Sequence, residues 1–346
     1  MAHIKDLNAH ERPPEAVRHR YKEIQKATLS EIESDQKIID LQALNPENLP
    51  SGISLVQWMP AADVQPVFDQ FIGTSSETTP PQNEGIPVYA HQSVSGLQII
   101  PSLLPPDVQV ELLTRLLHRD LSNTAHQTNV HLHYDVTYPS QEETNTDAAN
   151  TLSFFEDDPN RTMHPKDPTV HKPLTVKQFL SKKLRWATLG GQYNWTTKEY
   201  PPERPPAFPD DVAKLLHAAF PNTDAQAAIL NVYSPGDTLS PHRDVSEECD
   251  VGLISVSFGC DGLFLISHDD GQGCEIIRLR SGDAVYMDGT SRFAWHAVPK
   301  IVAGTCPTWL ADWPSVSPDS AKYDIWKGWM SGKRVNLNVR QMTVQD

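Results

Sequence analysis

"ILNVYSPGDTLSPHRD", residues 229–244, is the stretch on which the reading of this chain turns. Its first five residues alternate, with Leu230 and Val232 on one side and Asn231 and Tyr233 on the other. Alternation of period two is the signature of a half-buried strand. "SPGD" is a turn, and His242 and Asp244 follow two residues apart. If that segment is extended, both side chains face the same way and could meet one metal ion. Alone, the pair reads equally well as polar residues on a turn.

Downstream the texture repeats. "GLISVSFG" (252–259), "GLFLIS" (262–267), "EIIRLRSGDAVYMDG" (275–289), "RFAWHAV" (292–298) and "RVNLNVRQM" (334–342) are short apolar runs punctuated by Gly, Asp and Ser. Many short strands at this spacing, without helices between them, predict a double-sheet sandwich or barrel rather than alternating strand–helix units. Upstream, "GLQIIPSLL" predicts a strand. "PPDVQVELLTRLLHRDL" and "PDDVAKLLHAAF" predict helices entered through prolines. Residues 14–44 carry apolar residues at helical spacing, and 45–85 read as a linker with "TSSETTPPQNEG" its clearest loop. The expected division is an N-terminal helical extension and linker over 1–85 and a main domain over 86–346. Residues 122–176 and 300–330 are expected to be insertions.

Composition narrows the function. The net charge is −15, which excludes a surface coated in basic residues. Residues 165–204 nevertheless hold eight Lys/Arg against three acids, Lys182, Lys183 and Arg185 among them. That local excess is either a solvated face or a phosphate-binding one. No run approaches the ~20 apolar residues of a membrane span. The first residues lack the apolar core of a signal peptide. Four cysteines without CxxC spacing indicate neither a zinc site nor a disulfide framework, so an intracellular compartment is expected: cytoplasm, nucleus or mitochondrion. A monomer is favoured, with no membrane partner.

Two imidazoles and one carboxylate on one side of a metal leave three positions open, the arrangement that suits non-haem Fe(II) and dioxygen. His296, 54 residues beyond His242, is the candidate second imidazole, with a satisfied core histidine as the plainer reading. In "RVNLNVRQM", Val335, Leu337 and Val339 oppose Arg334, Asn336, Asn338 and Arg340. Two guanidinium groups on one face are what a dicarboxylate needs. A small anionic cosubstrate could then be gripped by Arg334, Arg340, Asn231 and Tyr233. "HLHYD" (131–135) is a rival metal motif without evident partners.

Taken together, "NVYSPGDTLSPHRD", "SVSFGCDGLFLIS", "LRSGDAVYMDGTSRFAWHAVP" and "RVNLNVRQ" resemble the AlkB family of Fe(II)/2-oxoglutarate dioxygenases across roughly residues 184–342. "LRWATLGGQYNWTTKEY" (184–200) and the ending resemble its homologue-1 branch. The resemblance implies an α+β protein with a double-stranded β-helix (jelly-roll) core, flanking helices and an N-terminal helical extension. It implies His242, Asp244 and His296 as iron ligands, Arg334 as the clamp on the distal carboxylate of 2-oxoglutarate with Tyr233 assisting, and Asn231 and Arg340 as supports. Fe(II), 2-oxoglutarate and O2 would together oxidise methyl groups on nucleobases. The implied partner is a nucleic acid: tRNA is favoured, and DNA carrying N6-methyladenine is the alternative. The same chemistry on a protein or small molecule is a further alternative.

A flipped base is commonly held by aromatic faces. Trp186, Tyr193 and Trp195, lying among the basic residues, are the candidate stacking groups, and core packing is their plain alternative. Trp295 is a candidate pocket wall on the same footing. Some family members carry a base-reading acid two residues after the HxD aspartate. Here that position is Ser246, so base choice cannot be borrowed from them.

Overall fold

In a computed structural model of the chain, residues 7–8, 10–74, 85–139, 152–195, 199–316 and 318–344 are described. The strands are β1 (Ile38–Asp40), β2 (Ile53–Met59), β3 (Ile86–His91), β4 (Val94–Ile100), β5 (Tyr134–Asp135), β6 (Thr162–Pro165), β7 (Leu174–Thr175), β8 (Trp186–Gly190), β9 (Ala227–Tyr233), β10 (Leu239–His242), β11 (Leu253–Gly259), β12 (Gly262–Ser267), β13 (Cys274–Leu279), β14 (Ala284–Met287), β15 (His296–Ile301) and β16 (Arg334–Arg340). The helices are α1 (Glu15–Lys26), α2 (Leu29–Ser34), α3 (Ala61–Ile72), α4 (Pro106–Thr114), α5 (Val176–Gln178), α6 (Asp210–Ala219) and α7 (Thr308–Ala311). None of the described helices is long and apolar enough to cross a membrane.

The strands form an eight-stranded sheet, ordered β2-β3-β4-β14-β11-β16-β9-β8, and a five-stranded sheet, ordered β1-β13-β12-β15-β10. A small third sheet joins β5, β6 and β7. Side-chain parity explains how the layers stack. On the outer face of the large sheet, Ala187, Leu189, Leu230, Val232, Val256, Phe258, Val335, Leu337 and Val339 pack with Phe68, Leu112 and Leu216 of α3, α4 and α6. On its inner face, Leu97, Ile99, Leu253 and Val285 meet Phe264, Ile266, Ile277 and Leu279 of the five-stranded sheet. The five-stranded sheet turns Leu263, Leu265 and Ile276 outward onto Val17, Ile24 and Ile32 of α1 and α2. The order is therefore helix, sheet, sheet, helix, with an apolar cluster at each interface and a fourth, smaller one of Tyr233, Cys260, Val298 and Ile301.

The inner cluster stops short of one end. Along β11, β16 and β9 the inward positions change from apolar to polar: Ser255, Ser257, Arg334, Asn336, Asn338, Arg340, Asn231 and Tyr233. A sandwich lined this way cannot close dry, because buried polar groups need partners. That end is where a polar ligand belongs.

Three sequence expectations need revising. Residues 1–85 are not only helix and linker. β1 adds in parallel to β13, β2 pairs with β3 in the large sheet, and α3 packs against α6. Ion pairs from Asp40 to Arg280 and from Glu33 to Arg278 fasten the segment further. The loop "TSSETTPPQNEG" lies almost wholly outside the described residues. The 300–330 segment is not a peripheral insertion. Trp313, Trp326 and Trp329 are buried in the main cluster, where Trp326 Nε1 donates to Phe155 O (2.8 Å) and Trp329 Nε1 to Leu180 O (3.1 Å). The described part of the 122–176 segment is ordered around those same residues and carries β5 to β7. Finally, Trp295 is not a pocket wall. It packs outward with Val17 and Ile24, under the guanidinium of Arg243, 4.6 Å above the ring.

Candidate active site

β10 and β15 are antiparallel neighbours, and their register sets His242 directly opposite His296. The two rings lie 4.3 Å apart. Each ring is oriented by its backbone. His242 Nδ1 donates to Ser240 O (2.9 Å) and His296 Nδ1 donates to Ala294 O (3.1 Å). With the proton held on Nδ1, the lone pair of each Nε2 faces inward, as a metal ligand requires. Asp244 does not arrive by strand parity, because β10 ends at His242. It is carried by the loop that follows, with Oδ1 3.7 Å from His242 Nε2 and Oδ2 3.8 Å from His296 Nε2.

Charges hold this arrangement. Burial alone would raise the Asp244 carboxyl, but Arg340 and the two imidazoles keep it well below the usual carboxylate range. Burial, reinforced by His242, lowers His296 to about 4, so its ring is neutral at neutral pH. His296 Nε2 has no hydrogen-bond partner among the described residues. An orphaned, neutral, buried nitrogen beside an ionised carboxylate and a second imidazole fits a divalent cation.

A second group of two histidines and a carboxylate, His91, His268 and Glu275, is equally close-set. Its protons distinguish it. The backbone N–H of Ser93 donates to His91 Nδ1 (3.3 Å), which puts the neutral ring's proton on Nε2, facing Glu275 Oε1 at 3.6 Å. His268 Nε2 donates to the same oxygen at 2.7 Å. Both rings therefore present N–H groups to the carboxylate where a metal would need lone pairs. The group is an electrostatic clamp: Glu275 of β13 accepts one hydrogen bond, from His268, and holds His91 of β3 at ion-pair distance. In "HLHYD", His131 caps Thr128 and His133 packs on His171, and neither joins a ligand group among the described residues.

Further along the polar inner face, on β16, stands Arg334, 1% exposed. Its Nη2 donates to Ser257 Oγ (2.9 Å), while Nε and Nη1 have no partner among the described residues. Burial lowers its pKa, and the Tyr233 ring lies 5.4 Å from the guanidinium. Tyr233 Oη is also buried and unpartnered, and burial pushes its phenol up to about 12. Gly262 makes room for this side chain, since a Cβ there would lie 2.3 Å from Arg334 Nε. Two unpartnered guanidinium donors and a phenol in a dry recess match one end of a dicarboxylate. Asn231 stands in the adjoining row, between Trp186 on β8 and Asn336 on β16. Asn336 Nδ2 is spent on Ser255 Oγ (2.8 Å) and Val256 O (3.0 Å).

Arg340 serves the Asp244 carboxylate. Its Nη2 donates to Asp244 Oδ2 (2.9 Å), and its Nε lies 3.4 Å from Glu247 Oε1. Glu247 in turn accepts from Arg292 Nη2 (2.8 Å), whose Nη1 donates to the backbone oxygen of Asp244 (2.8 Å). Tyr200 completes the set, with its hydroxyl 3.4 Å from both Arg340 and Glu247. Sequence reasoning missed Glu247, Arg292 and Tyr200. The signal for the first two was proximity alone: Glu247 follows Asp244 by three residues and Arg292 precedes His296 by four.

The proposed stacking groups are together at the rim. Trp186 and Trp195 rings lie 5.0 Å apart, Tyr193 meets Trp195 edge-on at 5.0 Å, and Tyr193 Oη is 3.4 Å from Ser246 Oγ. Trp195 remains 37% exposed. Lys182 and Lys183 are exposed at the end of the helical turn before β8, while Arg185 is engaged by Asp237.

The chain matches the 2OG-Fe(II) oxygenase superfamily over residues 130–340. It is 45% identical, over 98% of both chains, to "N6-methyladenosine RNA demethylase ALKB1" of Pyricularia oryzae. It is 53% identical to "N6-methyladenosine RNA demethylase ALKBH" of Cryphonectria parasitica, over 62% of this chain and 99% of that one. It is 38% identical to "tRNA demethylase abh1" of Schizosaccharomyces pombe, over 74% and 82% of the two chains. Antiparallel sheets, a ligand-ready pair of imidazoles with a carboxylate, and the matched sequence lead to one conclusion: this chain belongs to the 2OG-Fe(II) oxygenase superfamily, in its AlkB-like homologue-1 branch, whose dioxygenases use Fe(II), 2-oxoglutarate and O2.

Proposed function

We propose that the enzyme oxidatively demethylates a methylated nucleobase in folded RNA, with tRNA the favoured substrate. The observation that carries this reading is the rim: Trp186, Trp195 and Tyr193 form one aromatic wall, tied to Ser246, two residues from Asp244. Three relatives named as RNA or tRNA demethylases support it. The core is proposed to be a double-stranded β-helix, supported by two sheets, antiparallel but for the added β1, stacked face to face around the site.

His242, Asp244 and His296 would hold the iron, and Arg334 with Tyr233 would hold the distal carboxylate of 2-oxoglutarate. Bound iron, with 2-oxoglutarate and O2, supplies the oxidation of a methyl C–H bond coupled to loss of CO2 and formation of succinate. A hydroxymethyl group on nitrogen then releases formaldehyde and leaves the unmodified base. This chain's own part is placement. The aromatic wall receives the unstacked base, Lys182 and Lys183 meet the flanking phosphates, and the imidazole orientation is set by Ser240 O and Ala294 O.

Nucleoside mass spectrometry of tRNA, mRNA and DNA treated with enzyme, Fe(II) and 2-oxoglutarate tests the assignment. Loss of a methylated nucleoside from the RNA pools, with equimolar succinate, is expected. Succinate formed only with peptides or small molecules would refute it. Trp186→Ala should weaken binding of a methylated RNA by about 5- to 150-fold, since one stacked base contributes about 1–3 kcal/mol. Lys182→Glu/Lys183→Glu should weaken it further at low salt than at high salt. Fluorescence anisotropy across a salt series reads both.

A further inference from the structure

The carboxylate ligand sits in a closed ring of charges. Asp244 Oδ2 accepts from Arg340, Arg340 faces Glu247, Glu247 accepts from Arg292, and Arg292 returns to the Asp244 backbone oxygen. All four side chains are secluded: Arg292 and Glu247 are 0% and 1% exposed, Arg340 4% and Asp244 12%. Two acids balance two guanidinium groups, so the ring is neutral without a metal.

A neutral set raises a question of competition. A guanidinium beside a lone carboxylate takes both oxygens in a fork, and those are the atoms a metal needs. Here Arg340 donates to Oδ2 alone. Its Nε side is drawn to Glu247 Oε1 at 3.4 Å, and its Nη1 donates to the Tyr200 hydroxyl at 3.4 Å. Asp244 Oδ1 is left towards His242 Nε2. Meanwhile Arg292 fixes the loop that carries Asp244 by three bonds: to Asp244 O, to Val251 O (3.0 Å) and to Glu247.

We propose that Glu247, with Tyr200 and Arg292, is a positioning residue. It holds the Arg340 fork on one oxygen of Asp244 and keeps the other open to the metal. The inference rests on Asp244 being a metal ligand. Removing Glu247 lets Arg340 turn onto both oxygens, so the cation then has to displace a bidentate ion pair.

The test uses the full chain and Co(II) under anaerobic conditions, read by calorimetric titration and by the visible absorption bands of the bound ion. Glu247→Gln keeps shape and removes charge. It should weaken Co(II) binding by about 10–100-fold, the usual effect of losing a partner of a metal ligand, and should alter the bands. Wild-type affinity in folded E247Q overturns the proposal, and so does weaker binding with unchanged bands, which would mean that Glu247 acts through charge alone. If E247Q does not fold, Tyr200→Phe decides, since it deletes one hydroxyl: weaker binding with altered bands supports the proposal and wild-type behaviour overturns it. Asp244→Ala separates the two levels, because Co(II) binding that survives it removes the ligand assignment itself.

Discussion

Asp244→Ala is expected to reduce methyl oxidation by at least roughly 10³-fold, because the bound metal supplies several kcal/mol to the reaction and each 1.36 kcal/mol is a factor of ten. Three side chains converge on the proposed metal, and Asp244 is the one that brings negative charge. Its carboxylate stays ionised despite burial because Arg340, His296 and His242 surround it. Alanine leaves the Arg340 guanidinium beside the imidazoles with no anion between them, so its uncompensated positive charge opposes a cation there. Asp244→Asn keeps the volume and still removes the charge, so it should fail nearly as badly. Succinate and formaldehyde release with a methylated RNA measure the effect. Turnover within tenfold of wild type in either variant would remove Asp244 from the reaction.

The second large effect falls on Arg334. Its alanine variant should raise the apparent KM for 2-oxoglutarate by on the order of 10²-fold or more, since truncating one partner of a buried hydrogen-bonded charge pair costs about 2–5 kcal/mol. The side chain is 1% exposed, two of its donors have no partner among the described residues, and the Tyr233 hydroxyl beside it is equally bare. Such groups are costly to bury unless a ligand satisfies them. Arg334→Lys should recover little, because an ammonium cannot present two parallel donors and would leave the room made at Gly262 unfilled. The 2-oxoglutarate dependence of turnover at saturating RNA gives the readout, and an unchanged KM in Arg334→Ala would place the cosubstrate elsewhere.

Alternation in "ILNVY" and "RVNLNVR" carried real information. It assigned Leu230, Val232, Val335, Leu337 and Val339 to one face and Asn231, Tyr233, Arg334, Asn336, Asn338 and Arg340 to the other, and the sheet has them so. Period-two alternation survives folding because it is a property of the strand backbone itself. The same rule misplaced Asp244, since a strand ends where its ladder ends and that depends on the partner strand. It also could not see β1 and β2 in the first 85 residues, because a three-residue strand such as β1 exists only by adding to β13.

By itself, the sequence determined the strand-rich core and the two faces of β9 and β16, and its family resemblance named candidate ligands. The first two follow from local periodicity. Tertiary structure alone decided the rest. It set His242 opposite His296 through the register of β10 and β15. It buried Trp295 outward and brought Glu247, Arg292 and Tyr200 around Arg340. It also separated two groups of similar composition by where their protons sit: backbone carbonyls orient His242 and His296, while a backbone N–H orients His91. A hydrogen bond to the second ring nitrogen determines which atom is free to bind a metal, and that bond comes from the folded chain.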